Sequence, residues 1–416
     1  MVRDRPGIKP FYFAETRDGV IFGSEPKAIL ANPLVPREVD IAGLRELLAM
    51  AKAPGRALWK HIREVEPGNV VTVGREGVRT RTYWSLPSHR HADDLDTTVS
   101  RVGELMEDIG DRHLIADVPR CELLSGGLDS SAFTGLAAKD LGREGEALNS
   151  YFVDLVGQVD AFRPDGMRDT PDSPFIREVS QFVGSAHTDV VLDSAQLTDP
   201  AVRRAVIAAR DIPAGLGDMD TSLYLLFRSI REKSTVALSG ESADEVFGGY
   251  RWFFDEGARS SDTFPWTAFA GTEMQDRAGI LRPEFASSLD IDTYIADEYA
   301  TAVAAVPTIA GETESDHRMR VICNHHLARC VRMLLDRTKS PYPSTQDVAY
   351  AQAFQAQLSE VLSGDGPMLE IVDRDAVARL AKAAPGEISG EARNQMDRAL
   401  DLYHWFDMYS PELVLG

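Results

Sequence analysis

Apolar residues fall into three successive patterns along the chain, each predicting a different architecture. Up to about residue 85 they come in short bursts, Phe11-Tyr12-Phe13, Val20-Ile21-Phe22 and Asn69 to Val73, separated by turn pairs such as Asp18-Gly19 and Pro67-Gly68. This predicts β-hairpins. The polar stretch Ser88 to Asp94, with His89, His91, Asp93 and Asp94, reads as a linker. Leu95, Val99, Val102, Leu105 and Ile109 then recur at helical spacing and predict a helix over 95–112. Strands and helices alternate from there: strands over 120–124, 147–154, 187–192 and 235–238, helices over 174–183 and 223–232. The alternation predicts an α/β fold, a parallel sheet with helices on both faces, whose ligands sit beyond the carboxyl ends of the strands. Asp165 to Asp172, rich in Asp, Pro and Gly, reads as a surface excursion. From about Trp252 the pattern is mainly helical and ends in a helix over 396–409 carrying Met396, Leu400, Leu402, Tyr403 and Trp405. Two parts are expected, 1–85 and 86–416.

Composition narrows the partners. The 416 residues, 44% hydrophobic and 26% charged, suffice for a substantial core. No apolar run approaches the roughly 18–20 residues of a membrane span, and Met-Val-Arg-Asp-Arg-Pro is too polar for a secretory signal, so a cytoplasmic protein is expected. With 44 basic against 65 acidic side chains the formal charge is −21, which repels a polyanion over most of the surface. Nucleic acid is therefore excluded as the expected partner, and free nucleotide, a small carboxylate and an amine are favoured. Cys121, Cys323 and Cys330 form no Cys-x-x-Cys pair; they read as buried small hydrophobes, not disulfides or zinc ligands.

The chemistry concentrates in two loops. Glu122 to Leu124 end a strand that runs into Ser125-Gly126-Gly127-Leu128-Asp129-Ser130-Ser131. Gly126 and Gly127 permit a sharp turn, and Ser125, Ser130 and Ser131 add hydroxyls beside the unpaired N–H groups of a helix start, the makings of a phosphate cradle. Asp129 would repel phosphate unless a divalent cation sat between them, so the motif reads as a Mg-nucleotide site. It lacks the Gly-Lys-Ser/Thr ending of a Walker loop.

The second loop follows strand Thr235 to Leu238 and reads Ser239-Gly240-Glu241-Ser242-Ala243-Asp244-Glu245-Val246-Phe247-Gly248-Gly249-Tyr250. Three carboxylates within the first turns of a helix repel one another unless a cation joins them, and Mg²⁺ shared with Asp129 fits. A lone Ser-Gly-Gly turn is usually only a strand-to-helix connection, and acids suit a helix start in any case; the pairing of the two loops raises the signal above both. His325 and His326 are adjacent on a helix and point apart, so they make no ligand pair. His89, His91 and His113 read as linker and helix surface, and Trp252, Phe253 and Phe254 as core or pocket wall.

Together the two loops resemble the synthetase domain of glutamine-dependent asparagine synthetases. Arg3 to Pro10, Ser24-Glu25-Pro26-Lys27-Ala28 and Lys339 to Asp347 resemble supporting segments of that family. The resemblance implies a PP-loop ATP pyrophosphatase fold of the adenine nucleotide alpha hydrolase type over 86–416, preceded over 1–85 by a β-rich remnant of a class II, Ntn-type glutaminase domain. It implies ATP held by Leu124 to Ser131, with Val153 and Leu124 at adenine and Ser239 and Gly240 on the nucleotide. It further implies Mg²⁺ on Asp129 and Asp244, and Glu241 handling the acid substrate or the incoming amine. The implied reaction is adenylation of a small carboxylate such as aspartate, release of pyrophosphate, and attack of ammonia or another amine on the acyl-adenylate. A separate glutaminase subunit and a homodimer are the candidate macromolecular partners.

Two departures from the family pattern set the alternatives. Family members begin with a glutaminase domain whose amino-terminal cysteine is the nucleophile, whereas no cysteine precedes Cys121 and Val2 follows Met1; residues 1–85 are expected to pack without hydrolysing glutamine. Between Arg337 and Thr338, relatives carry several dozen residues, including an Arg-Val-Pro-Phe type segment and a Glu-Lys-Ser-Leu-Leu-Arg type segment whose lysine is thought to stabilise the adenylate. Lys233, Arg332, Arg337 and Lys339 are the candidate replacements, although Lys339 corresponds to a different family position. A catalytically impaired homologue that binds nucleotide or a partner is therefore the alternative, together with ring-closing or other amide ligases built on the same scaffold.

Overall fold

The computed structural model describes residues 1–49, 51–164, 170–270, 278–325, 345–384 and 388–415. Cys330, His326, Arg332, the junction of Arg337 and Thr338, Lys339 and part of the excursion over 165–172 lie outside the described residues.

Hairpins are present in this region, although of the two predicted turn pairs Pro67-Gly68 leads into a strand without turning a hairpin. Strands β1 (Tyr12–Thr16) and β2 (Gly19–Gly23) pair antiparallel with Thr16 opposite Gly19, leaving Arg17-Asp18 as a two-residue turn. Strand β3 (Glu38–Asp40) runs into helix α1 (Ile41–Leu48), which the sequence reading missed; Asp40 caps it by accepting from the N–H of Gly43 at 2.9 Å. Strand β4 (Arg63–Glu64) adds to β1, and β5 (Asn69–Gly74) with β6 (Gly77–Thr82) forms a second hairpin.

Helix α2 (Leu95–His113) matches the predicted span, capped by Asp94 on the N–H of Thr97, but its apolar stripe is not its buried face. Leu95 is 76% exposed, and Val99, Leu105 and Ile109 are also exposed. Met106 packs on the core, and Gly110 lets the helix approach Leu136. Periodicity identified the helix, and its contact with the next helix selected a different side.

Strands β7 (Arg120–Leu123), β8 (Asn149–Leu155), β9 (Ala186–Leu192) and β10 (Val236–Leu238) form one parallel sheet in the order β10-β7-β8-β9. The connecting helices are α3 (Leu128–Arg143), α4 (Ser173–Val183), α5 (Pro200–Arg210) and α6 (Asp218–Ile230). Cys121, Tyr151 and Val153 join Leu223 and Leu226 of α6 in the main core, while Leu124 and Phe152 pack on Ile176 of α4. Strand order reverses between β7 and β10: the chain proceeds outward through β8 and β9, then returns to the other side of β7. Such a switch point opens a crevice at the carboxyl edge of the sheet.

Beyond β10 the chain is mainly helical, with short α7 (Ala243–Phe247) followed by α8 (Ile291–Ala304), α9 (Glu314–Asn324) and α10 (Gly390–Tyr409), and it ends in β11 (Glu412–Val414). Strand β11 pairs parallel with β3, and Trp405 of α10 lies against Trp59 with ring centroids 5.5 Å apart. Asp211 joins the same two regions, accepting from the N–H of Lys27 at 3.0 Å and from the Tyr409 hydroxyl at 2.6 Å. Buried Arg203 of α5 pairs with Asp397 at 2.5 Å and with Asp401, both on α10. The other carboxylate oxygens of these residues receive the N–H groups of Gly217 and Gly215, fixing the loop that leads into α6.

Candidate functional site

Adjacent parallel strands deliver the two loops to one place. Val236, Ala237 and Leu238 of β10 lie opposite Arg120, Cys121 and Glu122 of β7, so both strands end at the same edge and their loops emerge side by side at the switch point.

Gly126 has φ +77°, and a Cβ there would meet Ile176 at 3.0 Å, so the turn requires glycine on both counts. Gly127 caps α3, the N–H of Ser131 closes the first turn onto the Gly127 carbonyl at 3.0 Å, and Asp129 stands in that turn. Ser130 is turned inward: its Oγ lies 2.9 Å from Ser125 Oγ, receives the Ser125 N–H at 3.3 Å and donates to the Gly127 carbonyl at 3.2 Å. Its hydroxyl braces the loop, while the first N–H groups of α3 lie at a helix start, where intrahelical acceptors are lacking. Leu128 is exposed.

In the second loop Ser239 Oγ accepts the Glu241 N–H at 3.2 Å, and Ser242 takes φ +77° before α7 begins. Gly240 is the point of closest approach between the loops. A Cβ there would lie 3.1 Å from the Ser130 nitrogen and 3.2 Å from the Asp129 carbonyl carbon. Gly249 similarly leaves room for the carboxylate of Asp244, which would collide with any side chain at that position.

Asp129 and Asp244 lie close enough for their charges to interact, whereas Glu245 is turned aside. Burial raises the carboxyl pKa of Asp129 above its ordinary value, and the negative charge of Asp244 raises it further. Glu245 is drawn away into the protein: it is buried and accepts from the Tyr250 hydroxyl at 2.6 Å, and burial outweighs that bond in raising its pKa. Tyr250 stacks on Trp252 with centroids 4.2 Å apart, a support that the sequence reading did not assign. Among the described residues, no group of three or more His, Cys, Asp or Glu is placed to hold a metal.

Leu124 and Val153 are fully buried, so both belong to the core. At the end of β8, beside the cradle, Asp154 accepts from the Ser173 hydroxyl at 2.8 Å, an arrangement with no short-range sequence signal. Trp252 and Phe253 are core residues as expected, whereas Phe254 is 75% exposed because it follows the short 3₁₀ turn Arg251–Phe253 and its ring is directed outward. Lys233 is exposed beyond α6. Cys121 is buried and Cys323 half-buried, and buried His325 packs on Phe264 with centroids 4.7 Å apart. No described helix is long and apolar enough to cross a membrane.

The asparagine synthase family matches residues 101–337, and the glutamine amidotransferase domain family matches residues 1–84. The chain is similar to asparagine synthetase [glutamine-hydrolyzing] 3 of Bacillus subtilis, 35% identical over 338 residues, which cover 80% of this chain and 54% of the relative. It is 29% identical to asparagine synthetase B [glutamine-hydrolyzing] of Escherichia coli over 269 residues, covering 60% of this chain and 40% of that protein. It is 27% identical to the amidase chyE of Penicillium rubens over 264 residues, covering 60% and 38%. The chain thus spans about half the length of the curated relatives it matches, or less.

Proposed function

Because the chain belongs to the asparagine synthase family, we propose that it is an ATP-dependent amide-forming ligase that adenylates a small carboxylate and passes the acyl group to ammonia or another amine. The observation that carries this reading is the close approach of Gly240 to Asp129 and Ser130, which supports reading the two loops as one site at the switch point of a parallel sheet.

In the proposed reaction a carboxylate oxygen attacks the α-phosphorus of ATP, the bond from that phosphorus to the bridging oxygen breaks, and pyrophosphate leaves. The amine nitrogen then attacks the acyl carbon, AMP departs, and a carboxylate takes the proton. The N–H groups at the start of α3 would bind the phosphates, and Ser125 braced by Ser130 would hold the turn rigid as charge builds. Glu241 is the proposed proton acceptor, carried on the loop that meets the cradle. Asp129 and Asp244 would hold Mg²⁺: Asp129, whose affinity for a proton is raised by burial and by the charge of Asp244, suits a cation that also takes phosphate oxygens and water. When bound, Mg²⁺ would neutralise charge on the departing pyrophosphate. We read residues 86–416 as the synthetase portion and residues 1–85 as glutamine amidotransferase-like sequence packed against it, a division supported by the spans of the two family matches.

The test is ATP–pyrophosphate exchange with aspartate and related acids, followed by amide formation with ammonium or with glutamine. Exchange that Asp129→Ala abolishes supports the proposal. Mg-ATP binding by calorimetry without exchange for any acid would support the impaired homologue instead. Glutamine-dependent turnover only on adding a glutaminase subunit would identify that partner, and light scattering would read a homodimer.

A further inference from the structure

Between the β5–β6 hairpin, the stretch 84–88 and the turn joining α8 to α9 lies a cavity of about 490 Å³, within the roughly 300–1,000 Å³ of small-molecule sites. It shares no lining residue with the paired loops. Pro67, Leu86, Pro307 and Ile309 supply apolar wall, and Trp84 supplies an indole. Glu66 is the single charged side chain among the described lining residues. Its carboxylate is met by the Asn69 side-chain amide at 3.5 Å, and no Lys, Arg or His among the described residues is paired with it.

A half-buried carboxylate held at a partly closed wall of mixed polar and apolar residues without a counter-ion attracts a cation more strongly than the same group in open water, because the dielectric around it is lower. A neighbouring indole adds attraction for the same charge through its ring quadrupole, and anions gain nothing from either group. We propose that this cavity binds a small organic ammonium ion with an apolar body, its charge beside Glu66 and Trp84 and its hydrocarbon against the proline-lined wall.

The test is titration calorimetry of the full chain with phenethylammonium, using phenethyl alcohol and phenylacetate as controls with the same body. The site predicts one-to-one binding of the cation and at least tenfold weaker binding of both controls. Glu66→Gln should weaken the cation at least tenfold, Thr308→Trp should block the cavity from its exposed rim, and Asp129→Ala should leave binding unchanged. Circular dichroism establishes that each variant is folded, and Thr308→Trp keeps the test intact if Glu66→Gln is not. Absence of binding, equal binding of phenylacetate, indifference to both cavity variants, or loss of binding in Asp129→Ala would overturn the proposal.

Discussion

Replacing Glu122 by Gln should make the protein more stable in alkali while leaving it nearly unchanged in mild acid. Glu122 lies in β7 three residues before the cradle, is 0% exposed, and neither carboxylate oxygen has a hydrogen-bond partner among the described residues. Thr134 of α3 is buried with its hydroxyl likewise unpartnered. Burial pushes the carboxyl pKa from 4.5 to about 8. The sign follows from linkage: the folded state keeps this proton up to about pH 8, and the unfolded chain releases it near 4.5. The group therefore contributes nothing below pH 4.5, costs progressively more stability as pH rises to about 8, and costs a constant amount above that. At about 1.4 kcal/mol per pKa unit the full cost is roughly 4–5 kcal/mol, an upper value because the site relaxes on ionisation. Gln has nearly the shape of the neutral acid, so Glu122→Gln should match the parent near pH 5 and exceed it by several kcal/mol near pH 9. Urea unfolding of both proteins at pH 5, 7 and 9 reads the difference. Parallel stability profiles for parent and variant would refute the assignment of Glu122 as a buried, uncompensated acid.

The remaining predictions concern the loops and their support. Gly240→Ala places a methyl 3.1–3.3 Å from the Asp129 and Ser130 atoms; separating the loops should lower ATP–pyrophosphate exchange about tenfold or more, a small misplacement at a reacting centre being costly, while far-ultraviolet circular dichroism is unchanged. Asp129→Asn removes the charge that opposes Asp244, so the melting temperature without nucleotide should rise by a few degrees at most while Mg-ATP binding by calorimetry is lost. Arg203→Met removes the cation paired directly with buried Asp397 and Asp401 and should cost about 3–5 kcal/mol in urea unfolding.

How much the sequence revealed depended on how local each determinant was. The strands of the parallel sheet were legible because each is a short apolar run bounded by turn residues, and β7 with Ser125 to Ser131 announced its own turn chemistry. The β1–β2 hairpin was legible from two short apolar runs on either side of the turn pair Asp18-Gly19. The pairing of three-residue β3 with β11 was not, because it joins opposite ends of the chain and neither segment has a periodicity of its own. The exposed stripe of α2 shows the complementary limit: Leu95, Val99, Leu105 and Ile109 fix the helical period, but which side is buried depends on the neighbour that packs on Met106 and Gly110. At the site, Asp129 and the cluster Glu241, Asp244 and Glu245 stood out from the two loops, and the part given to Gly240 came from the family resemblance. The inward rotation of Ser130 and the retreat of Glu245 to Tyr250 depend on tertiary contacts that no local pattern encodes. The unpartnered carboxylate of Glu122 was read only as the end of a strand, because its significance arises from burial.

The central claim is that the loops at 125–131 and 239–250 form one adenylating site, and ATP–pyrophosphate exchange across a panel of small carboxylates tests it most directly. The account predicts exchange that requires one acid of the panel and Mg²⁺, and that disappears in Asp129→Ala. Exchange undiminished in that variant, or no exchange with any carboxylate, would contradict it.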